Sequence, residues 1–332
     1  MSDSASAIEA MQSIPRIDLG AFPTPLQERR LPSGPSILVK DDGACSTVYG
    51  GNKVRKLEFL LADAAERGSR RLVVWGDVDS HTVAATCRFG LQQGFVVDAV
   101  VYPQGTQRYA NSGLQALASI EPKLQVHECR NLLSACLQTQ RLGSRSGSYL
   151  VPLGASTPLS TLGYVHAAFE FLQQLEYQNR PVPKAIFVPF ATGGTVAGLL
   201  IGMELANVAV DVVAVQTVQS VIANRRRLKK LMQRTLKLIA SEPAALAERA
   251  CSRLRIVNRR SDERRFRHFS ADSALATTIA DDLGYDLEPV FSGKAFAALL
   301  RSNSHSRDGE LVFWNTNDQS TRLSGIQHGY GG

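Results

Sequence analysis

Two short stretches carry residues whose types and order could do covalent chemistry. In the first, Tyr49-Gly50-Gly51-Asn52-Lys53-Val54-Arg55-Lys56-Leu57-Glu58-Phe59-Leu60, two glycines and an asparagine lead into a helix that opens with lysine. A helix start is electropositive because its first N–H groups lack intrahelical partners. That field disfavours a second positive charge, so an ammonium there loses its proton more readily and its amine becomes nucleophilic near neutral pH. Lys53 is thus a candidate Schiff-base lysine; the plain alternative is a solvated surface lysine. In the second stretch, Phe187-Val188-Pro189-Phe190-Ala191-Thr192-Gly193-Gly194-Thr195-Val196-Ala197-Gly198-Leu199, an apolar strand meets a glycine turn and then a helix. Such a turn can aim successive N–H groups and hydroxyls into one concavity that fits a phosphate, although a tight turn with no ligand looks the same. The spacing is neither the G-x-G-x-x-G of dinucleotide folds nor the G-x-x-x-x-G-K of nucleotide triphosphatases.

These stretches need a scaffold, and the rest of the chain reads as one. Runs of β-branched and aromatic residues at 71–75, 95–102, 185–189, 210–216 and 311–314 predict buried strands. Between them Leu57, Leu60, Leu61 and Ala64, and later Val165, Ala168, Phe169 and Leu172, recur at helical spacing. Alternation of strand and helix predicts an α/β protein with parallel sheets covered on both faces. At 332 residues, with 44% hydrophobic and 20% charged residues, the chain exceeds the size at which one core stops growing, so two lobes are expected. The uncharged run 185–203 is long enough to cross a bilayer, but Pro189 and the Thr192-Gly193-Gly194-Thr195 turn break it, which argues against a membrane helix.

The net charge of +7 is local. Residues 224–267 hold 15 basic and four acidic residues, leaving 22 basic and 26 acidic elsewhere. No aromatic residue interrupts Arg225, Arg226, Arg227, Lys229, Lys230 and Arg234 to stack on bases, so a solvated face is expected there in preference to nucleic-acid binding. The segment has no clear strand and reads as exposed helix and loop. Five cysteines form no C-x-x-C pair, and their odd number suits reduced thiols in a cytoplasmic setting. The N-terminus has an early acid and no apolar run, so it reads as a fraying segment, not a secretory signal. No metal site is expected: His127, His166, His268, His305 and His328 lack ligand spacing.

Taken together and in order, several motifs resemble a known family. They are Phe22-Pro23-Thr24-Pro25-Leu26, Lys40-Asp41-Asp42, the Gly50-to-Glu58 stretch, Pro152-Leu153-Gly154-Ala155-Ser156 with Gly163-Tyr164-Val165, the Thr192-to-Leu199 loop, Glu288-Pro289-Val290-Phe291-Ser292-Gly293-Lys294-Ala295, and Val312-Phe313-Trp314-Asn315-Thr316. The chain resembles the pyridoxal-phosphate enzymes of the tryptophan synthase β fold, in the branch of D-cysteine desulfhydrase and 1-aminocyclopropane-1-carboxylate deaminase. The resemblance implies two α/β lobes of fold type II, twisted mostly parallel sheets with flanking helices, and pyridoxal phosphate between them. A smaller lobe at 54–160 would be inserted in a larger one made of 1–53 and 161–332, and the protein would be a homodimer.

The same resemblance implies roles. Lys53 would hold the cofactor aldehyde, with Asn52 helping to orient the ring unless it only caps the helix. Thr192, Gly193, Gly194 and Thr195 would bind the phosphate, and the Thr316 hydroxyl would face the pyridine nitrogen. Ser80 would lie by the substrate carboxylate and the migrating proton. The implied reaction removes a β-substituent from a small amino acid to give pyruvate and ammonia. The alternatives are a β-replacement synthase and a non-catalytic descendant kept for binding or regulation.

Four departures bear on that reading. His81 stands where the family has asparagine, and either contacts the cofactor oxygen, acts as a base, or fills a shifted turn. Phe291 replaces a tyrosine, which argues against deamination of the cyclopropane substrate. Asn317-Asp318 replaces two glycines, which should add bulk and negative charge at the pyridine end. Asp77 is expected to face solvent, and Asp79 is open.

Overall fold

The computed structural model describes residues 3–32, 34–103, 112–258, 270–303 and 310–323. Its strands form two separate sheets. The smaller sheet contains β3 (Arg71–Asp77), β4 (Val96–Tyr102), β5 (Leu124–Glu128) and β6 (Ser148–Val151), all parallel, in the order β5-β4-β3-β6. The larger sheet joins β1 (Leu26–Arg30) and β2 (Ser36–Asp41) to β7 (Ala185–Phe190), β8 (Asp211–Gln216), β9 (Leu254–Val257) and β10 (Leu311–Asn315), in the order β1-β2-β10-β7-β8-β9. Only the β1–β2 hairpin is antiparallel. The smaller sheet is thus drawn wholly from 71–151, while the larger one gathers strands from both sides of that segment.

Helices cover both sheets, as parallel connections require. They are α1 (Asp3–Gln12), α2 (Val54–Glu66), α3 (His81–Gln92), α4 (Ser112–Ile120), α5 (Leu132–Gly143), α6 (Pro158–Tyr177), α7 (Gly194–Leu205), α8 (Arg225–Leu236), α9 (Pro243–Ser252), α10 (Ala271–Asp282), α11 (Ser292–Asn303) and α12 (Ser320–Leu323). Leu57, Leu60, Leu61 and Ala64 of α2 pack with Val74 and Val97 in one core. Val165, Ala168 and Phe171 of α6 pack with α7 in another. Each such fully buried aliphatic side chain contributes about 1.5–3 kcal/mol.

The uncharged run at 185–203 is β7, a turn and the start of α7, and no helix among the described residues is long and apolar enough to cross a membrane. All five cysteines are free.

Two expectations fail here. From Asp3 onward the N-terminal segment is helical where fraying is expected: α1 inserts Ala7 and Met11, one turn apart on one face, into the core that contains Phe171. The basic region also contains a strand, β9, whose Leu-Arg-Ile-Val alternation is obscured by the arginines around it. In α8 the basic side chains do point outward while Leu228, Met232 and Leu236 are buried. The rest of that region beyond 258, together with His268, His305 and His328, lies outside the described residues.

Candidate active site

Strands β3, β7 and β10 all end at one cavity of about 360 Å³ between the sheets. This is where parallel α/β sheets place ligands, because the loops beyond the strand ends converge there. Asn52, Lys53, Ser80, His81, Thr192, Gly193, Thr195, Phe291 and Thr316 all line it. Gly194 does not; it starts α7 directly behind the turn.

The loop before α2 is held in place by backbone contacts. Gly51 adopts φ +88°, and a Cβ there would stand 2.5 Å from the Thr316 carbonyl, so the close approach to β10 excludes a side chain. Asn52 donates its backbone N–H to that same carbonyl at 3.2 Å. Its side chain does not cap α2. Instead Nδ2 donates to Thr195 Oγ1 at 3.1 Å, and Oδ1 accepts from Lys53 Nζ, so one amide ties the amine, the glycine turn and β10 together. The position preceding α2 belongs to Lys53 itself, without a side-chain cap.

Burial lowers the Lys53 pKa to about 8, against a weaker opposing pull from Glu288. Desolvation, not the helix-start field argued from sequence, is what lowers it. One turn on, Lys56 is buried, and its amine donates to the Gly154 carbonyl and Ser156 Oγ, each at 3.3 Å. Burial first, and Lys53 second, push the Lys56 pKa well below its ordinary value. Neither lysine makes an ion pair among the described residues.

The glycine turn faces these amines. Gly193 sits at φ +93°, and a Cβ on Gly194 would lie 2.8 Å from Ser156 Oγ and 3.2 Å from Lys56 Nζ. The missing side chains therefore leave a cradle under a buried amine. Thr192 Oγ1 bonds Ser156 Oγ at 2.7 Å beside it. At the far end, Asn317 lines the cavity and its buried Oδ1 has no hydrogen-bond partner. Two buried amines without an ion pair among the described residues, a cradle of small residues and an orphaned acceptor are what a site for an anion carried on a polar aromatic ring would display.

Lys56 was missed in the sequence reading, although the signal was present. Positions i and i+3 lie on one helical face, so a second amine three residues after Lys53 points the same way.

Two departures resolve differently from expectation. Asp318 does not add charge at the pyridine end: its Oδ1 accepts from Gly50 N at 2.6 Å and Ser320 N at 2.8 Å, and it is not among the residues that line the cavity. It braces the glycine loop from behind. Asp77 does face the cavity, because it is the last residue of β3 where that strand opens onto the cleft; exposed Asp79 lines the rim. The Asp79 N–H donates to Asp77 Oδ1 at 3.1 Å. His81 is the first residue of α3 after its Ser80 cap, and its Nδ1 lies 2.6 Å from Tyr49 Oη.

A family profile described as "Pyridoxal-phosphate dependent enzyme" matches residues 17–317. The chain belongs to the pyridoxal-phosphate-dependent enzymes. Its fold is the type II, tryptophan synthase β-like arrangement, and pyridoxal phosphate is its cofactor. It is 30% identical to D-cysteine desulfhydrase of Salmonella typhi over 91% of this chain and 93% of that protein. Among solved structures it resembles an ACC deaminase homologue, with a TM-score of 0.76, 24% identity and 95% of each chain covered. It also resembles a fungal L-serine ammonia-lyase from Rhizomucor miehei, with a TM-score of 0.61, 20% identity, and 91% and 95% covered. The features that fit this cofactor, namely the cradle, the buried amines and the orphaned amide oxygen, come from the chain's own geometry.

Proposed function

We propose that this pyridoxal-phosphate enzyme eliminates a β-substituent from a small amino acid, releasing pyruvate and ammonia, in the way the name of its D-cysteine desulfhydrase relative describes. The carrying observation is the pair of buried amines, Lys53 and Lys56, that face a glycine turn without an ion pair among the described residues, the Glu288 carboxylate drawing only weakly on Lys53. In this reading Lys56, the Thr192-to-Thr195 turn and Ser156 hold the phosphate. Lys53 holds the aldehyde, and Asn52 orients the ring. Thr316 and Asn317 stand at the pyridine end, and the Phe291 ring walls the substrate side.

When bound, pyridoxal phosphate supplies a conjugated electron sink that acidifies the substrate Cα–H. The protein's residues do the rest. Lys53, with a pKa of about 8, keeps roughly a tenth of its amine unprotonated at pH 7, far more than an ordinary lysine, so it could bind the aldehyde and later carry the proton from Cα. Ser80, at the start of α3, sits where the substrate carboxylate would meet free helix N–H groups.

The assignment of 54–160 as an inserted lobe, a homodimeric assembly and a cytoplasmic location belong to this same reading. The test is pyruvate release from a panel of D- and L-amino acids, with and without an added thiol or amine. Pyruvate with no added nucleophile supports elimination, whereas a new β-substituted product would make the protein a replacement synthase. No turnover despite a bound cofactor would leave a binding role.

A further inference from the structure

Tyr49 lies four residues before Lys53, buried beside the cavity and not among the residues lining it. Two residues of α3 hold it. Its hydroxyl meets His81 Nδ1 at 2.6 Å, and the Arg88 guanidinium lies 5.2 Å from its ring centroid. His81 and Arg88 are seven apart, two helical turns, so one face of α3 grips both ends of the phenol. The imidazole stands edge-on to Phe291 at 6.4 Å between centroids, and both rings line the cavity.

The ring geometry sets which nitrogen faces where. With Nδ1 turned to Tyr49, which is outside the cavity lining, Nε2 is directed away from Tyr49 on the side of the ring that meets the cavity. A cation over the phenol ring strengthens its O–H as a donor and weakens the oxygen as an acceptor, so Tyr49 donates and Nδ1 accepts. The proton of the neutral ring then sits on Nε2.

We propose that Tyr49 is a positioning residue that holds His81 as the proton donor to the departing β-substituent, so that this pair supplies the acid that the aromatic ring of Phe291 lacks. The inference rests on the elimination reading above. As the bond from Cβ to the leaving atom breaks, the leaving atom takes the bond's electron pair and the Nε2 proton. Nδ1 takes the Tyr49 hydroxyl proton in the same movement, so the imidazole stays neutral with its tautomer exchanged. The relay then resets in reverse: Nδ1 returns its proton to the Tyr49 oxygen, and Nε2 takes up from the cavity solvent a proton balanced by the one that Lys53 received from Cα.

The pair matters most for leaving groups that need a proton. The test compares the holoenzyme with Tyr49→Phe and His81→Asn on β-chloroalanine, whose chloride leaves without a proton, and on serine and cysteine of the same configuration. Both variants should raise the ratio of chloride to hydroxyl elimination by about a hundredfold, the lower end of the range of about 10²–10⁴ usual for a positioned general acid. An unchanged ratio overturns the proposal, since a merely structural role lowers all three substrates alike. A second readout needs neither turnover nor a variant. Side-chain ¹⁵N spectra of the cofactor-free wild-type protein should show His81 protonated at Nε2 and bare at Nδ1, and Tyr49→Phe should mix the two tautomers. Protonation at Nδ1 in the wild type overturns the positioning role. Absence of turnover on every substrate would refute the elimination reading instead, while the spectra still decide what Tyr49 does.

Discussion

Arg55 and Lys56 are neighbours in sequence and both buried, yet they sit in opposite electrostatic worlds. Arg55 faces the scaffold: it bonds Asp42 at 2.9 Å and Glu170 at 2.8 Å and stacks over Phe22. Lys40 joins the same cluster through Glu170, while Tyr164 and Trp314 donate to the second oxygen of Asp42. Burial alone would lower the Arg55 pKa, but these carboxylates hold it above its ordinary value. Lys56, one residue on and turned to the cavity, donates to a carbonyl and a hydroxyl with no carboxylate ion pair among the described residues, and burial pushes its pKa well below the ordinary value. A compensated buried charge marks the frame that fixes α2; an uncompensated one marks where a ligand must supply the opposite sign.

That contrast can be broken from either side. The largest effect should follow Lys53→Ala: loss of the absorption band of the lysine-bound cofactor, and turnover lower by about a thousandfold or more in single-substrate kinetics. Next, Arg55→Leu strands Asp42 and Glu170 without their cation. It should cost about 3–5 kcal/mol in urea unfolding of the cofactor-free protein. Lys56→Met should do the reverse, leaving that stability unchanged or slightly raised while weakening cofactor binding about 10- to 100-fold in a titration. If Lys56→Met destabilises the empty protein as Arg55→Leu does, the distinction between frame and site fails.

The smallest effect sharpens the comparison through pH. Lys53 titrates at about 8 when folded against an ordinary 10.5, so between those values the unfolded chain binds the extra proton. Stability of the cofactor-free protein therefore rises with pH across that window, and below about 8 the penalty is fully present and flat. Urea midpoints from pH 7.5 to 10 should show this rise, and Lys53→Met should reduce it.

Much of the frame can be read without coordinates. The β-branched runs that become β3, β4, β7, β8 and β10 are buried on both faces, and such runs carry their own signal. Strands β1 and β9 carried none, because an edge strand with polar residues, Leu-Gln-Glu-Arg-Arg, or one set among arginines looks like surface. Residue type and local order were enough to nominate Lys53 and the Thr192-to-Thr195 turn, since a helix start and a glycine turn are local objects whose chemistry depends on few neighbours; Thr316 entered only through the family resemblance.

What only the tertiary structure decided are the relations between distant segments. Asp318 could have faced the pyridine end or the glycine loop, and a hydrogen bond to Gly50, 268 residues away, settled it. Asp77 turned to the cavity because β3 happens to end there. Whether His81 merely filled a turn depended on Tyr49 reaching its Nδ1. Sequence determines local conformation through backbone sterics and side-chain periodicity, but partners and desolvation are properties of the assembled interior. A candidate amine was therefore legible in the chain, and the buried surroundings that lower its pKa were not.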